Sequence, residues 1–161
     1  MINSFDPIID KSCRVLILGS IPSVKSLEIN QYYGNPRNQF WKIVYELFEE
    51  KYQEEYEERK KFLLKHNIAL WDVIKGCDRE GSLDTAIKNE EANNFEELIN
   101  KYQNIDTIIF NGGKAHDTFK KLVGFEQFKN IKFYKLPSTS RAHTIIFDKK
   151  IDKWSILKRI L

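Results

Sequence analysis

Two short runs of strand-forming residues, each closed by glycine, constrain this chain more than any other feature. Arg14 to Leu18 reads R-V-L-I-L and ends at Gly19; Thr107 to Phe110 reads T-I-I-F and ends at Asn111-Gly112-Gly113. Near-continuous apolar runs of this length mark strands buried on both faces, because a sheet with one wet face would alternate polar and apolar residues. Ile68 to Val73 and Ile131 to Leu136, the latter stopped by Pro137, are weaker runs of the same kind. Between them Phe40, Ile43, Val44, Leu47 and Phe48 recur at helical spacing, and Phe95, Leu98 and Ile99 repeat the pattern on a shorter scale. Strands alternating with helices predict an α/β fold, a three-layer α/β/α sandwich around a central, mostly parallel four-stranded sheet.

The chain has 161 residues, 42% of them hydrophobic, which matches one domain spanning residues 1–161 with a sizeable core. No stretch approaches the roughly 20 apolar residues of a membrane span and no leader pattern opens the chain, so a cytoplasmic protein without membrane attachment is expected. Cys13 and Cys77 cannot by themselves supply a structural zinc or iron–sulfur site, and the three histidines are scattered, so neither metal nor cofactor is expected. A monomer is the default expectation. The net charge of +3 says little, but its distribution is uneven: Tyr45 to Glu58 holds seven glutamates against Lys51, and Lys129 to Leu161 holds nine Lys and Arg against Asp148 and Asp152. A basic C-terminal segment suits phosphates, and equally suits a solvated face.

From Gly19 to Asn38 the chain runs 20 residues between a strand and the next clear helix. Long connections inside compact domains are usually functional or disordered, and Tyr32 and Tyr33 in this one argue against disorder; ligands of open parallel sheets sit beyond the carboxyl ends of the strands. This connection, Asn111-Gly112-Gly113 and Pro137 to His143 converge there. None contains a dinucleotide fingerprint, a P-loop, a serine elbow or an H-E-x-x-H pair. What they offer is amides, hydroxyls and aromatic faces. Such a set suits a base and its phosphates, with Ser20, Ser23, Ser138, Thr139 and Ser140 as candidate phosphate donors; each of these is equally at home as a helix cap or turn residue.

Three motifs carry a resemblance. Gly19-Ser20-Ile21-Pro22-Ser23 is similar to the Gly-x-x-Pro motif after the first strand of the uracil-DNA glycosylase superfamily, and Leu136-Pro137-Ser138-Thr139-Ser140 to its later Pro-Ser loop. Pro36-Arg37-Asn38-Gln39-Phe40-Trp41 resembles the P-x-N-x-F-W of mismatch-specific members. Many members place Asp or Asn just before the motif-one proline to position the attacking water; here that position is Ile21, which handles no water. The hypoxanthine-releasing branch shares this loss and reads G-S-x-P-S, Y-Y-G-x-P-R-N-x-F-W and L-P-S-T-S, close to this chain throughout.

The resemblance implies hydrolysis of the N-glycosidic bond of a flipped-out deaminated base, hypoxanthine first, in DNA, leaving an abasic site. It implies catalytic roles for Asn38 and His143 and a base pocket of Tyr33, Asn111 and Ile21. Tyr33 would stack on the base, and Asn111 would read its Watson–Crick edge, one amide supplying both donor and acceptor. Arg141, where branch members often carry Pro, would fill the vacated stack or hold phosphate. Competing readings stay open at this stage: Asn38 as an N-cap, Asn111-Gly112 as an ordinary turn, His143 as a surface histidine. At the level of function, uracil as main substrate, an inactive DNA-binding domain and a small-nucleotide site are the alternatives. No lysine near the motifs is clearly placed for Schiff-base chemistry, which favours a monofunctional hydrolase.

Overall fold

The structure, a computed structural model, describes residues 1–142 and 145–161. In chain order its first half holds β1 (Ile2–Asn3), β2 (Val15–Gly19), α1 (Val24–Ile29), α2 (Phe40–Leu47), α3 (Tyr56–Lys65), β3 (Ile68–Asp72) and β4 (Ile74–Asp78). Its second half holds β5 (Lys88–Ala92), α4 (Phe95–Lys101), β6 (Thr107–Asn111), α5 (Gly113–Leu122), β7 (Lys132–Leu136), α6 (Phe147–Trp154) and α7 (Ile156–Ile160).

The order β3-β2-β6-β7 makes one sheet, and every pairing in it is parallel. Side chains on a strand alternate in direction, and here both directions end in hydrophobic packing. Val15, Ile17, Ile68, Leu70 and Ile109 share a cluster with Phe40, Ile43 and Val44 of α2, Phe62 and Leu63 of α3, and Trp154 of α6. Leu16, Leu18, Ala69, Ile108 and Phe110 share another with Phe95 and Leu98 of α4 and Phe119 of α5. Helices therefore cover both faces, completing the three-layer sandwich and explaining why the strand sequences lack polar alternation. Each large apolar side chain so buried contributes about 1.5–3 kcal/mol relative to exposure.

Two features depart from the sequence expectation. The run from Ile68 does not continue as one strand: it breaks after Asp72, and β4 turns into a second sheet, antiparallel, of order β1-β4-β5. Its strands, I-N, I-K-G-C-D and K-N-E-E-A, are short and polar on most positions, so no hydrophobic period announces them. Ile21, Ile74, Cys77 and Ile87 close this sheet onto the rest of the molecule. The long connection after Gly19 is also not irregular throughout, because α1 interrupts it, capped by Ser23 Oγ accepting from the Ser26 N–H at 3.2 Å. Cys13 and Cys77 are buried, free thiols. Among the described residues no helix is long and apolar enough to cross a membrane.

Candidate functional site

Because β2, β3, β6 and β7 run parallel, their carboxyl ends, at Gly19, Asp72, Asn111 and Leu136, reach the same edge of the sheet. Beyond that edge lies a cavity of about 470 Å³, within the size range of small-molecule sites. Its wall comes from the Gly19–Ser23 turn, Tyr33, Asn38, Asp72, Asn111 and Ser138–Ala142. The three motifs thus converge as the sequence predicts. The wall also includes Ser82, Leu83 and Asp84, from the connection between β4 and β5, which no motif announced.

Glycine clears space at two points. A Cβ on Gly19 would stand 2.7 Å from Asp72 Oδ1 and 2.9 Å from Tyr33 Oη, so only a residue without a side chain admits both groups. Gly112 has φ 97° and would bring a Cβ within 3.0 Å of Ser138 Cβ, so it lets the Pro-Ser loop close down on β6. Tyr33 itself sits in the left-handed region at φ 52°, a conformation that costs a non-glycine residue on the order of 1 kcal/mol. The turn is held by the Gly34 N–H donating to Ser26 Oγ at 2.9 Å and by Trp41 Nε1 donating to the Tyr32 carbonyl at 2.8 Å. One face of the Tyr33 ring stacks on Phe40, with centroids 4.3 Å apart. The ring lines the cavity, and its hydroxyl is buried beside Asp72 and Asn111 with no aligned partner among the described residues.

Three motif side chains form one hydrogen-bond chain. The Phe40 N–H donates to Asn38 Oδ1 at 2.9 Å, and Thr139 Oγ1 donates to the same oxygen at 2.8 Å. Asn111 Nδ2 donates to Thr139 Oγ1 at 2.9 Å, while the Thr139 N–H donates to Asn111 Oδ1 at 2.9 Å. The backbone donors fix which end of each amide is oxygen. Both lone pairs of Asn38 Oδ1 are then used, and what Asn38 has left for a ligand is N–H. Among the described residues Asn111 keeps one N–H and one lone pair, a donor beside an acceptor. Asn38 is therefore a cap-like residue and a cavity residue at once.

Thr139 departs from expectation. It is fully buried, and its only hydroxyl proton goes to Asn38, so it has no donor for a phosphate and instead couples the two asparagines. The loop carrying it is held from below. Gln39 N–H donates to the Thr139 carbonyl at 2.9 Å, Trp154 Nε1 to the Pro137 carbonyl at 2.8 Å, and Lys150 Nζ to the Ser140 carbonyl at 3.0 Å and Gln39 Oε1 at 3.1 Å. Lys150 is a fully buried residue whose burial lowers its pKa. It is the lysine that sequence reading did not place near the motifs, and its partners make it a support for the loop.

Other predicted residues take the following places. Ser20 Oγ donates to Asp84 Oδ1 at 3.4 Å. Ser23 caps α1 while lining the cavity. Ser138 Oγ and Ser140 Oγ accept from the N–H groups of Ser140 and Ala142, stiffening the loop, and keep their own protons to donate. Ile21 lines the cavity and packs on Ile74, Cys77 and Ile87, so a hydrophobic cluster holds the place of the missing acid. Arg141 is exposed at the mouth, where Arg37 and Lys114 also stand. His143 lies outside the described residues.

Asp72 is the residue that sequence reading missed. It ends β3 in register with Gly19, lines the cavity, is 3% exposed and leaves Oδ2 without a partner among the described residues. Burial, opposed by the attraction of Arg79, pushes its carboxyl up to about 7. Its signal in the sequence was an aspartate ending an apolar run, I-A-L-W-D, where a strand of this sheet delivers its last residue to the site. Among the described residues no group of three or more His, Cys, Asp or Glu is placed to hold a metal.

Residues 7–157 match the model of the uracil DNA glycosylase superfamily. The chain is 38% identical over 156 residues to a protein of Methanosarcina acetivorans named hypoxanthine DNA glycosylase, covering 96% of each chain. To a protein of the same name from Methanosarcina barkeri it is 39% identical over 125 residues, 76% of this chain and 79% of that one. A solution NMR structure of a Methanosarcina acetivorans protein, assigned as a candidate uracil DNA glycosylase, superposes with a TM-score of 0.85 at 34% identity, covering 98% of this chain and 96% of that one. A match over nearly the whole chain, in sequence and in fold, shows that the chain belongs to the uracil DNA glycosylase superfamily.

Proposed function

We propose that the protein is a monofunctional DNA glycosylase that hydrolyses the N-glycosidic bond of a flipped-out deaminated base, hypoxanthine first, and leaves an abasic site. The observation that carries this reading is the coupled pair Asn38 and Asn111, joined through Thr139 at the floor of a cavity sized for a base. A base must leave the stack before such a pocket can take it. Tyr33, backed by Phe40, is the stacking surface. Asn111 offers its free N–H to the carbonyl of hypoxanthine and its free lone pair to the neighbouring ring N–H. Adenine and cytosine present the reverse pattern and are rejected.

With its oxygen committed, Asn38 holds the attacking water by donating to the water oxygen rather than by taking a proton. The bond breaks toward an oxocarbenium-like sugar, the base leaving with the electron pair, so a water that is positioned but not ionised suffices; it adds to the sugar and its proton passes to the departed base anion. Arg37, Lys114, Arg141 and the hydroxyls of Ser138 and Ser140 face the mouth of the cavity, where phosphates of the entering strand would pass. The two relatives named hypoxanthine DNA glycosylase support hypoxanthine as substrate.

Uracil is the second reading, because it presents the same carbonyl and ring N–H to Asn111. Incubating labelled duplexes that carry single hypoxanthine, uracil or xanthine lesions, followed by hot alkali, tests both. Strand cleavage at hypoxanthine is the expected result; cleavage only at uracil would keep the reaction and move the specificity, and none at any lesion would leave a DNA-binding module.

A further inference from the structure

Asn111 cannot tell hypoxanthine from uracil, so some other group must supply that choice if the base-excision reading above is right. The floor of the cavity holds two polar atoms that are buried without a protein partner among the described residues, Asp72 Oδ2 and Tyr33 Oη. Buried polar groups in folded proteins nearly always have partners, and bare ones that line a cavity point to a ligand that completes them. The fold also goes to some length to admit Asp72. Gly19, opposite it in register, has no side chain to block it, and the Asp72 backbone carbonyl is fixed by Asn93 Nδ2 at 2.8 Å.

Among the described residues, the charged and titratable groups that face this carboxyl are few. Tyr33 and Tyr32 hold their hydroxyls nearby, each phenol pushed up by burial and then by the proximity of Asp72. Arg79 attracts the carboxylate from the connection after β4, but its Nη2 is committed to the Pro22 carbonyl at 2.7 Å and it forms no ion pair with Asp72 among the described residues. With no ion-pair partner among the described residues, the buried carboxyl keeps its proton up to about neutral pH. A protonated carboxyl has what an ionised one lacks, an O–H donor.

Purines carry an acceptor that pyrimidines do not, the imidazole nitrogen N7. We propose that Asp72 donates a hydrogen bond to N7 of the flipped hypoxanthine and that this contact selects the purine over uracil. Uracil in the same pocket leaves the donor bare, and a buried donor without a partner is what a site rejects most strongly. The bond also strengthens as negative charge gathers on the departing base.

The test compares two hydrolysis-resistant duplexes with a 2′-fluoroarabino sugar at the lesion, one carrying hypoxanthine and the other its 7-deaza analogue. Wild-type protein should bind the 7-deaza duplex roughly tenfold more weakly or worse, a gap that disappears in Asp72→Ala and persists in part in Asp72→Asn, whose amide still donates. In kinetics, Asp72→Ala should lose on the order of 10- to 100-fold at hypoxanthine and keep or gain activity at uracil, which no longer meets a bare donor. The wild-type rate should fall as pH rises through about 7, where the donor ionises, and Asp72→Asn should be flat across that range. Equal binding of the two analogues by wild type overturns the proposal without any variant, as do equal losses at both bases. So does a rate that rises through pH 7 with an inactive Asp72→Asn, which would make Asp72 a base. Hypoxanthine release that is indifferent to N7 would leave the glycosylase reading standing, whereas no release of any base would remove that reading itself.

Discussion

The floor and the mouth of the cavity are built on opposite terms. At the floor, Thr139, Asn111 and Asp72 are buried, and the polar atoms there are either committed to one another or left bare. At the mouth, Arg37, Arg141 and Asp84 are exposed and Ser20 is half-buried, and their contacts are long or local. Electrostatic and hydrogen-bond effects are large where water is excluded and small where it screens. Under the proposed function the difference predicts separate tasks: the floor should set base identity and rate, and the mouth affinity for the strand.

Asn38→Ala sharpens the contrast most. Base release should fall about 10²- to 10³-fold, the usual cost of removing one preorganised donor, with affinity for lesion duplex changed little. Single-turnover rates beside equilibrium binding would check it, and near-normal release would end the water-holding role of Asn38.

Thr139→Val comes next. It keeps the volume and removes the hydroxyl that joins the two amides, so Asn38 Oδ1 loses a donor and Asn111 Nδ2 an acceptor. A loss of about 10- to 100-fold in release is expected, from about 1–3 kcal/mol for buried groups left unpaired, and Thr139→Ser should recover most of it. If Thr139→Val acted instead on the salt dependence of DNA binding, the division between floor and mouth would fail.

At the mouth, single alanine substitutions at Arg37, Lys114 and Arg141 should weaken binding only several-fold. Each should lower the slope of log affinity against log salt by about one, with the rate on saturating DNA unchanged.

The smallest expected effect is on stability. Asp72 titrates at about 7 in the fold against an ordinary 3.8. Its folded form binds the proton more tightly than its unfolded form, so its contribution to stability is greatest below pH 3.8 and declines as pH rises toward 7. Asp72→Asn should therefore raise the melting temperature by a few degrees at pH 8, and less at pH 5. An unchanged melting temperature at pH 8 would mean that water or a nearby cation relieves the carboxylate.

The positions that local pattern could reveal are those whose role is set by a neighbouring stretch of chain. Val15–Gly19 and Thr107–Asn111 were recognisable because a strand buried on both faces must be apolar along its length. Asn38 and Asn111 were recognisable through their motifs. What stayed hidden was anything set by long-range packing. Thr139 reads as a phosphate donor or a turn residue until Asn38, 101 residues earlier, takes its proton. Lys150 reads as one of many lysines until Gln39, 111 residues away, and the Ser140 carbonyl enclose it. Ile87 and the strands around it gave no period, because a three-stranded antiparallel flap of two to five residues per strand buries too little on each.

By itself, then, the sequence determined the layered architecture and the edge of the sheet at which chemistry happens, since both follow from side-chain alternation and the ends of strands. Only the tertiary structure decided which hydroxyls face solvent, which amide atoms remain free and that a carboxyl stands bare on the floor. Burial and hydrogen-bond partnership are properties of a place, and the chain creates that place only when distant segments meet.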